Sequence, residues 1–357
     1  MNVYQCKSLT IGIIKMMSFK KNLLWAVCGA SVFVSGMSAA ATTTLHVATW
    51  LPPTSAQNAV VWPTWKEWVE TATEGRVEVV IENYTGSPKT IFDAVEDGVF
   101  DAGFSVNAYI PGRFKLASVA EIPGEITDAE VGSVALWRTY EAYFKADQEF
   151  RGLHLLALFV HGPGQLNTTF PVNSLEDLKG KKMRVGGGLV NVLAERLGVT
   201  PISAPAPKSY ELMQQGVVDG TFLPAEQQKT LRLSEVTTDL VLFPKGLYTT
   251  AFSIVMNPDS FDGLSKKDQE AIMSVSGEKL SRLAGAAWGK ADDEGILEAK
   301  ASGVNVVYLS KEDALVKDMD ELEKGIDQEW INSVSDRKVD ANAALAYFRK
   351  NVSELSQ

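Results

Sequence analysis

Cysteine is almost missing from this sequence, with only Cys6 and Cys28 among 357 residues. Both fall in a segment that reads as cleaved away, so the mature chain is expected to have no thiol, no disulfide and no cysteine metal site. Histidine is as sparse, at His46, His154 and His161. No HExxH and no paired histidine spacing occurs, which argues against a histidine metal centre. A GxSxG nucleophile elbow is absent too. Carboxylates are plentiful but scattered, and abundance alone nominates no general acid/base pair. Neither metal, cofactor nor enzymatic activity is expected.

Positive charge is also short. Removing Lys7, Lys15, Lys20 and Lys21 with the leader reduces 34 basic residues to 30, against 44 acidic ones, a net charge of −14. That excludes nucleic acid and anionic membrane surfaces as partners. An anionic ligand would need a local attraction strong enough to overcome the global field.

The leader is legible from its layout. Lys20 and Lys21 precede an apolar stretch, Leu23 to Val34, that runs into Ser38-Ala39-Ala40-Ala41. This is the pattern of a secretory signal peptide over residues 1–41. The apolar stretch is far short of the roughly 20 residues that span a bilayer, so no membrane insertion is expected. Met16 or Met17 suits the start of the basic region, and residues 1–15 read as a mis-assigned upstream start. A lipid anchor on Cys28 is disfavoured, because Val27 stands where a small residue would be required. The mature chain is expected to begin near Thr42 and to be exported.

What remains is an ordinary globular composition, 45% hydrophobic and 22% charged, long enough for two domains. Thr44 to Thr49 alternates like a half-buried strand and stops at Trp50-Leu51-Pro52-Pro53. Trp62, Trp65, Trp68 and Val69 follow at helical spacing and read as core. Arg76 to Glu82 is a second strand, Ile91 to Gly98 a helix and Phe100 to Val106 a third strand, which is an α/β pattern. The pattern recurs: AVEDGVFDAGFS (Ala94 to Ser105) is matched by LMQQGVVDGTFL (Leu212 to Leu223), pointing to two lobes of similar construction. Phe243 to Met256 reads as extended chain returning across the molecule. From Ser265, an N-cap with Asp268 three residues on, an unbroken helical pattern runs to about Ala301, long enough to brace both lobes. A strand over Val304 to Leu309 and helices from Ser310 onward close the chain.

The most distinctive stretch is GKKMRVGGGLVNVLAERLG, Gly180 to Gly198. Gly186-Gly187-Gly188 lacks the third glycine of a dinucleotide fingerprint, and no Gly-Lys-Ser/Thr opens the following helix as a P-loop requires. Backbone N–H groups at a helix N-terminus still favour an anion. Arg184, in a strand-like run between the lobes, is costly unless a carboxylate or phosphate pairs with it. That partner could be a ligand or an internal Asp or Glu.

SLEDLKGKKMRV (Ser174 to Val185), then a helix ending in LG, a proline, a tyrosine-containing helix and GVVDG, resembles the periplasmic solute receptors of TRAP transporters (tripartite ATP-independent periplasmic transporters). EWVETATEGRVEV (Glu67 to Val79), DGVFDAG and GLSKKDQEAI extend the resemblance over the mature chain. It implies a two-lobed α/β periplasmic binding protein of type II-like build. Such a protein, here expected to be a monomer, would close around an organic acid and deliver it to a permease driven by an ion gradient. By the same analogy lobe I takes 42–167 plus 248–289, and lobe II takes 168–247 plus 290–357.

The resemblance assigns Arg184 to the ligand's carboxylate, with Gly186 in the N–H-rich wall beside it. Two departures bear on the ligand. Phe170 falls near a second arginine of sialic-acid-binding members, and Leu223 stands where they carry an asparagine. A monocarboxylate with an apolar or aromatic body is therefore expected, lined by Trp50, Phe170, Leu223 and Tyr248, with Asn107, Tyr109 and Glu226 as polar contacts. The rivals are a receptor for an ABC importer and, in another class, a periplasmic hydrolase or lyase acting on acids.

Overall fold

The computed structural model describes residues 42–357, and the expected leader lies outside them. Eleven strands follow one another among the described residues: β1 (Thr43–Thr49), β2 (Val77–Asn83), β3 (Ala102–Val106), β4 (His154–Val160), β5 (Gly164–Thr168), β6 (Lys182–Val185), β7 (Thr200–Ser203), β8 (Gly220–Pro224), β9 (Asp239–Leu242), β10 (Ala251–Met256) and β11 (Asn305–Tyr308). They form two sheets, ordered β2-β1-β3-β10-β4 and β11-β9-β5-β8-β6-β7. Each sheet is parallel except for one strand, β10 in the first and β5 in the second. Both are entered by direct crossings between the sheets, while the third crossing runs through helices and ends at β11, which pairs parallel.

The tryptophan row behaves as its spacing requires. Helix Trp62–Ala72 starts with Pro63 in its first turn and buries Trp62, Trp65 and Val69 completely. Trp68, on the edge of that face, keeps partial exposure and receives the Lys279 ammonium 3.9 Å from its ring centroid.

The single helix expected from Ser265 to Ala301 is in fact two, Lys266–Ser274 and Glu278–Ala301. Ser265 does cap the first, accepting from the Asp268 N–H at 3.1 Å. The interruption is Gly277, at φ +60°, whose N–H donates to the Leu156 carbonyl at 2.7 Å. A Cβ there would stand 3.1 Å from the Trp137 ring. Backbone groups of the first sheet thus capture the chain at this point, which helical periodicity alone does not register.

The second piece, 24 residues long, spans about 36 Å at 1.5 Å per residue. It touches both lobes through two glycines. Gly285 lies against Ala129 and Ser133 of helix Ala129–Thr139 beside the first sheet, and Gly295 lies against the Ala225 carbonyl beside the second. A side chain at either position would collide with backbone.

The lobe limits differ from those expected. The first crossing is His161–Pro163, so a boundary after Asn167 would cut β5, which pairs within the second sheet. The chain after Lys290 does not all join the second lobe either. Helix Ala341–Leu355 buries Ala344, Leu345 and Phe348 and packs against Ala129–Thr139 of the first lobe. Among the described residues no helix is long and apolar enough to cross a membrane.

Candidate functional site

The carboxyl ends of the parallel strands in both sheets meet at one cleft, the usual place for ligands in open α/β sheets. Trp50 follows β1, Tyr109 lies in the turn after β3, and His161 follows β4. From the other lobe come Arg184 and Gly186 at the end of β6 and Leu223 in β8. These residues, with Tyr248 of the second crossing, line a narrow cavity of about 30 Å³.

Arg184 is 1% exposed. Its Nε and Nη2 both donate to the Ala204 carbonyl, at 2.8 and 2.6 Å, and Nη2 lies 3.5 Å from the Tyr109 hydroxyl. Nη1 has no partner, and none of the ion pairs among the described residues involves Arg184. An internal Asp or Glu, the alternative left open by the sequence, is therefore not what balances it. A guanidinium withdrawn from water without a counter-ion costs several kcal/mol, on the order of the penalty for any unpaired buried ion. An anion entering the cavity would remove that cost.

The remaining walls are largely aromatic. Trp50 stacks on Phe104 with ring centroids 5.3 Å apart and donates Nε1 to the Phe104 carbonyl at 2.9 Å. Trp288, from the long helix, lies 4.9 Å from Phe252 at the start of β10. Tyr248, which also lines the cavity, donates its hydroxyl to the Phe222 carbonyl at 2.8 Å. Burial holds the His161 imidazole down at about 4, with the Arg184 charge adding to the effect. The ring is neutral at physiological pH, and its Nδ1 is engaged by the Gly162 carbonyl at 2.5 Å.

The triple glycine has a different partner from the one expected. Gly187 and Gly188 sit at φ +104° and +73°, and a Cβ on them would collide with the Ala108 carbonyl and the Glu121 carboxylate of the first lobe. Glu121 accepts from the Leu189 N–H at 3.2 Å, at the start of helix Leu189–Arg196. An internal carboxylate from across the cleft thus occupies the helix N-terminus where an anionic ligand was a candidate. Burial raises the Glu121 carboxyl to about 7, against the opposing pull of the Leu189 and Ala251 N–H groups. Beyond these glycines the cleft opens into an outer chamber of about 300 Å³.

Six residues singled out in the sequence meet at the inner cavity: Trp50, Tyr109, Arg184, Gly186, Leu223 and Tyr248. Three do not. Phe170 lies two residues beyond β5, whose Thr168 pairs with Gly220 at the opposite end of β8 from the cavity. Its ring is partly exposed beneath the Lys181 ammonium, 4.4 Å away. Asn107 lines the outer chamber instead, accepting from Ser253 Oγ at 2.6 Å. Glu226 is buried behind the cavity wall, where it accepts from Thr230 Oγ1 at 2.8 Å and from the Gln227 amide, and burial raises its carboxyl to about 7. Sequence reasoning missed His161, Gln227, Phe252 and Trp288, all of which line the cavity. Only His161 carried a signal, standing just before a glycine and a proline at the first crossing.

Among the described residues no group of three or more His, Cys, Asp or Glu side chains converges to hold a metal ion. Residues 47–326 match the family described as bacterial extracellular solute-binding protein, family 7. A TRAP periplasmic solute-binding protein from Bordetella bronchiseptica, solved with bound (R)- and (S)-mandelate, is 39% identical, with a TM-score of 0.84 over 88% of this chain and 99% of that one. A TRAP solute-binding protein from Rhodoferax ferrireducens, in complex with copurified benzoate, is 28% identical, with a TM-score of 0.83 over 88% and 99%. The outer membrane transporter protein TsaT of Comamonas testosteroni is 30% identical over 337 residues, 93% of this chain and 98% of that protein. The solved relatives are binding receptors of TRAP systems, not of ABC importers and not enzymes. With more than half its length matched, the chain belongs to family 7 of the bacterial extracellular solute-binding proteins, the periplasmic receptors of TRAP transporters.

Proposed function

We propose that this protein is a periplasmic receptor for a monocarboxylic acid with an aromatic body, which it passes to a TRAP-type permease. The observation that carries the proposal is Arg184, fully buried, with an unpartnered Nη1 and no internal carboxylate. One anion is what such a group lacks. The walls formed by Trp50, Tyr109, Tyr248, Phe252 and Trp288 match a flat apolar ring, whose burial contributes about 25 cal/mol per Å². The relatives with bound mandelate and benzoate support the same class of ligand.

Arg184 acts as the anchor in this scheme, and closure completes the site because Tyr109 of the first lobe reaches the second. Its hydroxyl accepts from the Ala206 N–H at 2.8 Å while lying beside Arg184. Closing the lobes excludes water and strengthens the ion pair. A closed receptor presents a different surface to the permease from an open one.

Thermal-shift and calorimetric titration of protein purified from the periplasm tests the proposal. Benzoate and mandelate should raise the melting temperature, as any ligand specific for the folded state does, and succinate and neutral sugars should leave it unchanged. Binding of succinate in preference to every aromatic acid would contradict it.

A further inference from the structure

Three residues lining the inner cavity each carry a buried polar atom with no hydrogen-bond partner: Arg184 Nη1, Trp288 Nε1 and Gln227 Oε1. The three residues are 1%, 2% and 3% exposed. Two are donors and one is an acceptor. A buried polar group left unpaired is costly, so three around one cavity define the hydrogen-bonding complement of a ligand. A carboxylate accepts only. It can satisfy Arg184 and Trp288, but it places a second lone pair against Gln227 Oε1. A hydroxyl, in contrast, donates one hydrogen and accepts through its lone pairs, which matches the Gln227 and Trp288 pair.

The orientation of Gln227 is fixed from behind. Its Nε2 donates to a Glu226 carboxylate oxygen, while the other oxygen of Glu226 accepts from Thr230 Oγ1. With both oxygens of Glu226 accepting, the amide nitrogen is held on Glu226 and the amide oxygen is left over. Glu226 is thus a positioning residue for Gln227. Among the cavity's side-chain acceptors in the described residues, Gln227 Oε1 alone is both occluded and unpartnered.

We propose that the preferred ligand is a hydroxylated aromatic acid, its carboxylate on Arg184 and its hydroxyl donating to Gln227 Oε1 and accepting from Trp288 Nε1. This rests on the receptor function proposed above. A binding site built to hydrogen-bond a hydroxyl rejects the analogue that lacks it far more strongly than an apolar site discriminates by shape.

The test is calorimetric titration of matched pairs: phenylacetate against mandelate, and benzoate against 2-, 3- and 4-hydroxybenzoate. In the native protein at least one hydroxylated acid should bind about tenfold or more tightly than its parent. Gln227→Leu should shrink that gap to within about threefold, the hydroxylated acid losing more affinity than its parent. Glu226→Gln, which frees the amide to turn, should also narrow the gap, and it serves if Gln227→Leu fails to fold. Equal affinity within every pair, or a gap that survives both substitutions, overturns the hydroxyl assignment alone. Failure of every acid to bind the native protein overturns the receptor function as well.

Discussion

Two arginines of this chain have been taken largely out of water, with opposite surroundings. Arg337, 22% exposed behind the first lobe, faces Asp147 at 3.1 Å and Glu149 at 3.6 Å. One of its nitrogens, Nε, lacks a hydrogen-bond partner, yet its charge is matched twice. Arg184, in the cleft, is more deeply buried and faces no carboxylate at all. The first belongs to the architecture, tying the turn before Phe150 to the C-terminal helices. The second has no counter-charge among the described residues, and in the proposed scheme the ligand's carboxylate supplies it. Burial of a charge is therefore a poor guide to function unless its counter-charge is located as well.

The comparison is broken most severely by removing each charge while keeping its volume. Arg184→Met should weaken binding of benzoate and mandelate by at least about 100-fold, since a charge-assisted pair in a desolvated site is lost. The melting temperature of the unliganded variant should stay level or rise, because an unpaired buried ion has been replaced by an apolar side chain. Arg337→Met should show the reverse. Leaving Asp147 and Glu149 without their cation should cost about 2 kcal/mol, a drop of several degrees, with ligand affinity within about twofold of the native value. If both variants lose stability and neither loses binding, the distinction between the two sites is wrong.

A smaller effect is expected from pH. Burial raises the carboxyls of Glu121, Glu149 and Glu226 to about 7, from an ordinary 4.5. Between those values the folded protein holds more protons than the unfolded chain, so its stability falls as pH rises through this window. Melting temperatures at pH 5.5 should exceed those at pH 8. In Arg337→Met the fall should be steeper, because the guanidinium that favours ionised Glu149 is gone. A stability that increases steadily from pH 5.5 to 8 would show that these carboxyls are not buried as described. The smallest effect belongs to Phe170→Ala, at the far end of the second sheet. Affinity should change by less than about twofold, and a larger loss would return Phe170 to the ligand.

Much of the fold was readable because it rests on local signals. The tryptophan row, the strand before each helix and the repeated Gly-Val-x-Asp-(Ala/Gly) turns all depend on neighbours in sequence. The Gly277 break did not announce itself, since Leu156 and Trp137, which hold it, are more than a hundred residues away. For the cavity, Arg184 stood out as a charge in a strand, Tyr109 as a residue following a strand that faces the cleft, and Leu223 through the family resemblance. Phe170 was misplaced because the direction of β5 reverses within the second sheet, sending its carboxyl end away from the cleft. Gln227 and Trp288 were hidden by their contexts. One follows the more conspicuous Glu226, and the other sits in a long helix where a tryptophan reads as ordinary core.

The most direct measurement is a crystal structure of the protein with mandelate or benzoate bound. The carboxylate should lie within about 3 Å of Arg184 Nη1, the distance of a charge-assisted hydrogen bond, with the ring between Trp50 and Trp288. An acid held elsewhere in the cleft, or a native Asp or Glu turned onto Arg184 in its place, would contradict the account.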